Sequence, residues 1–299
     1  MPSPPAVTVV CVTYNSAQLL EGFVTALHAG MAGVADWDLI GVDNASDDDS
    51  AVQLRVLHPA ATVLQAPDNG GFAAGVNLAL ERIDGDRAVL VVNPDARLHR
   101  GSVARLLEEV AQPHVGIAAP RILDPDGTTN PSLHRDPTVL RMLGAAVLGD
   151  RRAGRIGALG EVMVGDRVYD HPQDVAWASG AVMLFAPGLV ERIGPLDESF
   201  FLYSEETEFA MRARDAGFLV RYRPDAAATH LGGDAHRRPR LYRMLVANKV
   251  RLFARRHPRW QTQLYRDAMI LHQRIRARRG SSIARHGLAE LRHPSLLDG

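Results

Sequence analysis

Four short apolar runs, each ending in a cluster of polar residues, constrain this chain more than any other feature. VTVVCVTYN (Val7–Asn15) is the first, and DLIGVD, ATVLQAP and RAVLVVNPDA follow it. Runs of this length, rich in β-branched residues and without alternation, read as buried parallel strands. Helical patterns separate them. AQLLEGFVTALHAG places Leu19, Leu20, Phe23, Val24 and Leu27 at helical spacing, with Ser16 as its expected cap and Gly30 at its end. The turn-rich NASDDDS leads into a helix through Gln53–Leu57, and DNGGFAAGVNLALERI is a glycine-rich start to another. This alternation predicts βαβ units, and so an α/β fold with a mostly parallel central sheet flanked by helices.

The second half is less regular. GIAAPRILDPDG reads as a strand and turn, and VAWASGAVMLFAP as one strand. Leu133–Asp174, rich in Gly, Pro and Arg, reads as an irregular loop or small hairpin. From Arg240 the pattern is helical again. Leu241, Leu245 and Leu252 mark one helix, and Trp260, Leu264, Ala268, Leu271 and Ile275 another. Cys11 is the single cysteine, so an internal disulfide and a multi-cysteine zinc site are excluded. Met1 opens onto PSPPAVTVV without a basic region, so no signal peptide is expected, and no apolar run is long enough for a membrane span. A cytoplasmic location follows as the expectation. The zero net charge hides an asymmetry: from Leu231 onward 16 basic residues face four acidic ones, whereas 18 face 30 before it. A basic tail of this kind suits an anionic partner.

In open α/β sheets ligands bind beyond the carboxyl ends of the strands. Those ends carry Thr13-Tyr14-Asn15, Asp43-Asn44, Asp68-Asn69-Gly70-Gly71 and Asn93-Pro94-Asp95. A dinucleotide-binding oxidoreductase would need G-x-G-x-x-G after the first strand, where this chain has TYNSAQ without a glycine. A P-loop is excluded because the only lysine is Lys249. Asp43 is placed to accept an N–H from a pyrimidine. Asp95 is placed to bind a divalent cation, Mg²⁺ or Mn²⁺, with substrate phosphates completing the shell. Together these describe a nucleotide-diphosphate site.

VTYNS, VDNASDD, NGGFAAGVN, VVNPDA, WASGAVML, GPLDESFFLYSEETEFAMRARDAGF and ATHLGG, in this order, resemble the inverting family 2 glycosyltransferases of GT-A fold, rhamnosyltransferase-like branch. The resemblance runs from about Val7 to Gly233. It implies a GT-A domain over residues 1–235 and an Arg-rich C-terminal helical extension over 236–299. It implies that Thr13, Asn15 and Asp43 hold the base and ribose, and that the Asn69–Asn77 segment lines the donor pocket. Asp95 takes the metal-binding position, with Asn93 where the wider fold has a first Asp, and His230 is a further metal or diphosphate ligand. WASG implies acceptor-side roles for Trp177, Ser179 and Gly180.

The resemblance also addresses three glutamates, Glu205, Glu206 and Glu208, set among Phe200, Phe201, Tyr203 and Phe209. Glu206 stands where the family usually has Asp as general base, and Glu205 is an acceptor ligand or itself the base. Glu208 is expected to pair with Arg212 four residues on. The implied activity is transfer of rhamnose from dTDP-rhamnose to a hydroxyl of a glycan or polyprenyl-diphosphate-linked acceptor. UDP-sugar transfer, including galactofuranosyl transfer, and a nucleotide-sugar scaffold without turnover stand as alternatives. The C-terminal helices suit peripheral contact with the inner face of the membrane or homo-oligomerisation. Nucleic acid is not expected as a partner, since no basic platform interleaved with aromatics is present.

Overall fold

The computed structural model describes residues 5–232 and 238–293. The expected domain boundary after residue 235 lies outside the described residues, as does Gly233. The chain divides into two compact units. The first comprises Met1–Ser132, Tyr169–Phe201 and Glu205–Gly232, and the second Leu133–Val168, Leu202–Ser204 and Gly233–Gly299.

The strands are β1 (Val7–Thr13), β2 (Trp37–Asp43), β3 (Thr62–Gln65), β4 (Ala88–Val92), β5 (Ala96–Leu98), β6 (Val115–Leu123), β7 (Leu133–His134), β8 (Gln173–Val175), β9 (Trp177–Ala178), β10 (Val182–Phe185) and β11 (Leu219–His230). In the first unit nine of them form one sheet of order β3-β2-β1-β4-β10-β6-β11-β5, with β8 also on β11. The pairs β1–β2, β1–β4, β2–β3 and β6–β11 are parallel, while β10 runs antiparallel to both β4 and β6. The four expected strands are all present, and their carboxyl ends share one edge. The antiparallel β10 brings its amino end to that edge, with Val182 opposite Val92.

Helices α1 (Ala17–Gly30), α2 (Ser50–Leu57), α3 (Phe72–Leu80) and α4 (Ser102–Val110) follow β1, β2, β3 and β5. Successive strand residues point to opposite faces. Val7, Val9 and Cys11 therefore join Leu20, Phe23 and Leu27 of α1 and Val103, Leu106 and Leu107 of α4 in one buried core. On the other face α3 approaches β1 so closely that a Cβ at Gly75 would lie 2.6 Å from Val12 Cγ1. The burial of Cys11 pushes its thiol far above the ordinary range, so it is an inert core residue.

Three expectations change. VAWASGAVMLFAP is broken into β8, β9 and β10. Leu133–Asp174 holds three helices, α5 (Val139–Leu148), α6 (Asp150–Gly154) and α7 (Asp166–Tyr169). Thr138 caps α5 by accepting a hydrogen bond from the Arg141 N–H, a start signal obscured by the surrounding Gly and Arg. Helix Arg259–Arg278 buries Tyr265, Ala268, Met269 and His272, and leaves Trp260, Leu264 and Leu271 exposed. The stripe visible in the sequence is thus mostly its outer face. The second unit's core comprises Tyr242, Val246, Val250 and Phe253 of helix Pro239–Arg256, Tyr265 and Met269, and Leu291 of the further helix Ser282–Arg292. Phe253 stacks on Tyr265 with ring centroids 4.1 Å apart.

Two histidines tie this fold to pH. In the second unit, burial and then the Lys249 ammonium push His134 well below its ordinary pKa. In the first, burial and then His28 lower His58, which stacks on Trp37. Folding makes both harder to protonate than in the unfolded chain, so the unfolded chain binds more protons in acid. Stability is then complete above the unfolded histidine value of about 6.5 and lost as pH falls below it, by up to about 1.4 kcal/mol per pH unit from buried His134 and by less from the solvent-screened His58. Urea midpoints at pH 7.5 and 5.5 test this: a marked fall is expected, and a shallower one in His134→Gln.

Candidate active site

The site grows from the carboxyl ends of β1 and β2, where Thr13 and Asp43 stand side by side in register. The Thr13 hydroxyl is 3.2 Å from Asp43 Oδ1, which also accepts from Ser46 Oγ at 2.6 Å, and Asp43 Oδ2 accepts from the Ser46 N–H at 3.2 Å. The carboxylate is buried and aimed by three donors. Asn15, at φ 49°, sits in the left-handed region that Asn tolerates. Its N–H donates to Ser46 Oγ at 3.0 Å, and its side-chain oxygen accepts from the Asp47 N–H at 2.8 Å. Tyr14 beside it is 48% exposed.

The helix cap falls to a different residue from the expected one. Ser16 Oγ turns back to the Tyr14 backbone, and Asp48 Oδ2 accepts from the first amide of α1, Ala17, at 3.0 Å. Burial would raise the Asp48 pKa, but hydrogen bonds from Ser50 and the Ala17 and Ser50 amides outweigh it and hold the carboxyl below its usual range. Ser46 and Asp48 are therefore structural parts of the site that NASDDDS showed only as a turn.

Asn44 carries the next link. Its amide nitrogen donates to Asn69 Oδ1 at 3.0 Å and to the Gly71 carbonyl at 2.9 Å, pinning the Asn69-Gly70-Gly71 loop to the end of β2. Gly71 has φ 92° and ψ −178°, a region essentially confined to glycine. A Cβ there would lie 2.2 Å from the Phe201 carbonyl oxygen, which accepts from the Phe72 N–H at 2.9 Å. The expected donor loop is thus locked onto the segment that leads to the glutamates. Asn77 acts from further along α3, and its role differs from the donor contact expected. Its side chain donates to Leu196 O at 2.9 Å and Glu198 Oε1 at 2.8 Å and accepts from the Leu196 N–H at 2.9 Å. Both ends of the amide brace the 196–198 loop.

After β4, Asn93 donates its N–H to Ala181 O at 3.0 Å, coupling the NPD turn to the start of β10. Asp95 Oδ1 lies 3.2 Å from His230 Nε2, because β5 pairs with the end of β11 and sets His230 opposite Ala96. A Cβ at Gly232 would come within 2.8 Å of His230 Nε2 and 2.9 Å of Asp95 Oδ2. Gly232 keeps this corner open, a role hidden in a motif quoted only for its histidine.

After the short α8 (Leu189–Ile193), α9 (Glu205–Asp215) presents the glutamates in its first turn. Glu205 is buried and Glu206 partly so. Gly180 faces Glu206, since a Cβ there would lie 3.3 Å from both its Cβ and Cγ. Ser179 and Gly180 are half-buried, whereas Trp177 is only 6% exposed and belongs to the core, without an open face for a sugar. Glu208 pairs with Arg212 at 2.8 Å, as expected, and Arg212 also donates to the Ile193 and Pro195 carbonyls. All these groups of the first unit gather at one sheet edge.

The sequence profile of Glycosyl transferase family 2 matches residues 8–159, half of the chain. The chain belongs to that family. As a family 2 glycosyltransferase it is 29% identical over 235 residues to N-acetylglucosaminyl-diphospho-decaprenol L-rhamnosyltransferase of Mycobacterium tuberculosis, an alignment covering 74% of this chain and 75% of that one. It is 28% identical over 212 residues to the low-salt glycan biosynthesis hexosyltransferase Agl10 of Haloferax volcanii, covering 69% and 61%. The mannosyltransferase PcManGT of Pyrobaculum calidifontis, solved with GDP-Man and Mn²⁺, superposes with a TM-score of 0.57 at 19% identity, over 96% of this chain and 79% of that one. The shared fold is GT-A, as the motifs implied.

Gly71→Ala tests the lock between loop and glutamate segment. It forces a strained backbone and displaces the Phe201 carbonyl, so a loss of about 1–3 kcal/mol is expected from chemical denaturation. A stability equal to the parent's would mean that the contact is dispensable.

Proposed function

We propose that this glycosyltransferase moves rhamnose from dTDP-rhamnose to a hydroxyl of a polyprenyl-diphosphate-linked glycan, with inversion at the anomeric carbon. The observation that carries the reading is the meeting of Thr13 and Asp43, the Asp95–His230 pair, and Glu206 beside Gly180 on the carboxyl edge of one sheet. A carboxylate has about four acceptor positions, and three donors already occupy Asp43. The position left suits the single ring N–H of thymine or uracil. The rhamnosyl donor and the lipid-linked acceptor follow the name of the mycobacterial relative.

In this reading Glu206 takes the proton of the acceptor hydroxyl. The freed oxygen lone pair attacks the anomeric carbon from the side opposite the diphosphate, whose bond breaks with its electrons leaving on the phosphate oxygen. Glu206 is one methylene longer than the family's usual Asp, and the bare Gly180 gives that longer side chain room. Buried Glu205 precedes it and serves acceptor binding. Asp95 and His230 fit a divalent cation: one carboxylate oxygen and one imidazole nitrogen converge there beside a glycine. Among the described residues no group of three or more His, Cys, Asp or Glu is gathered, so diphosphate and water oxygens complete the shell. When bound, the cation neutralises charge on the leaving diphosphate. An imidazole ligand favours Mn²⁺ over Mg²⁺.

Peripheral membrane contact draws support from the second unit. Among the described residues no helix is long and apolar enough to cross a membrane. Trp260, Leu264 and Leu271 are nevertheless exposed on helix Arg259–Arg278, and Leu140, Leu143 and Val147 on α5, which packs against it. Arg274 and Arg278 lie on the same exposed face, beside the single acid Asp267. Apolar side chains rimmed by guanidinium groups suit an anionic headgroup layer. A second copy docked two-fold on this face would set arginine against arginine.

Calorimetry with dTDP-rhamnose, UDP-galactofuranose and UDP-glucose, each with Mn²⁺ and with EDTA, tests the donor. Metal-dependent binding of dTDP-rhamnose is expected. Binding of a UDP-sugar alone moves the donor, silence from all three removes the reading, and binding without nucleotide release to any acceptor favours the scaffold. With a short-chain N-acetylglucosaminyl-diphospho-polyprenol as acceptor, Glu206→Gln is expected to lose about 10²–10⁴-fold in turnover and retain donor affinity. Undiminished turnover removes Glu206 as the base. Sedimentation with phosphatidylglycerol vesicles, but not with phosphatidylcholine vesicles, is expected of the parent and not of Leu264→Glu.

A further inference from the structure

Two consecutive residues just before the glutamates, Tyr203 at φ 68° and Ser204 at φ 81°, occupy the left-handed region. Non-glycine residues visit it rarely, and a bulky tyrosine followed by a second such residue is rarer still. Such a conformation persists only where surrounding contacts over-determine it. Here the contact is specific. Asn248, in the middle of helix Pro239–Arg256 and only 5% exposed, donates from Nδ2 to Leu202 O at 2.8 Å and to Tyr203 O at 3.1 Å. Leu202–Ser204 and Asn248 belong to the same compact unit. Neighbouring Val246, Ala247 and Val250 are buried apolar residues, so a buried amide at this point has no packing rationale of its own.

We propose that Asn248 is a positioning residue for the catalytic carboxylates. Its two N–H bonds hold the carbonyls that would otherwise turn as the left-handed residues relax. Ser204 is bonded directly to Glu205, so a rotation of the peptides at 203 and 204 re-aims the first turn of α9 and with it Glu205 and Glu206. The inference rests on the reading of Glu206 as the base, but its structural half stands apart from the donor's identity.

Asn248→Ala tests it with two readouts. Amide hydrogen exchange over residues 202–207 is expected to quicken, and kcat to fall by about ten- to a hundredfold, as misaimed catalytic groups do. KM for dTDP-rhamnose stays near the parent value. Ser204→Gly added to Asn248→Ala supplies a residue at ease in the left-handed region, and is expected to restore slow exchange and most of kcat. A role confined to packing among the helices would not be rescued by a glycine placed in the strained segment. Should Asn248→Ala fold poorly, Asn248→Ser keeps one donor and takes its place in the same comparison. Unchanged exchange overturns the proposal whichever donor the enzyme uses. Quickened exchange with unchanged kcat overturns it too, as does a loss that glycine does not reverse. If the parent turns over none of the sugars, the donor reading has failed. Exchange and its reversal by glycine then decide the structural claim alone.

Discussion

The structure depends on one reversal of strand order. β1 carries β2 on one side and β4 on the other, all three parallel, so the chain leaving β1 and the chain leaving β4 must part. That parting opens a crevice at the carboxyl edge whose backbone amides no ladder can satisfy. Polar loops fill the need. Thr13, Asp43, Ser46 and Asp48 satisfy one another and the first turn of α1, and the same bonds leave a carboxylate oriented toward the crevice. The Asn93-Pro94-Asp95 turn then anchors to β10 through Ala181, which brings Gly180 and Glu206 to the same edge.

Glycines set the distances within this arrangement. At Gly71 backbone meets backbone, at Gly180 it leaves room for the Glu206 side chain, and at Gly232 it leaves the Asp95–His230 corner open. Each is a place where a methyl group would press on a neighbouring element. Their spacing along the chain tells nothing of this, since what each one meets comes from a different element.

The strands and the polar clusters at their ends were legible because buried parallel strands write themselves as unbroken apolar runs, and the shared edge follows from parallelism. Direction of a side chain was not legible. Asn77 sits in a motif associated with a donor pocket, yet its amide is spent on the loop at Leu196, and nothing in NGGFAAGVN distinguishes those uses. Ser16 looks like a cap, but Asp48 from another loop takes the place, a choice made by tertiary contact. β11 escaped notice because register shifts after Leu219 and Arg223 break its alternation. Trp260, Leu264 and Leu271 repeat at helical spacing as a core stripe would, and periodicity cannot say which side of a helix meets the protein.

The tripeptide Leu202–Ser204 groups with the C-terminal helices, while the residues before and after it group with the sheet. Modular recombination between relatives therefore meets a hidden constraint. A chimera keeping the first 232 residues and borrowing its helices from a homologue keeps Tyr203 and Ser204 in place only where the borrowed helix brings an equivalent amide. The natural unit of exchange is discontinuous in sequence: a short insert and a distant tail that must travel together.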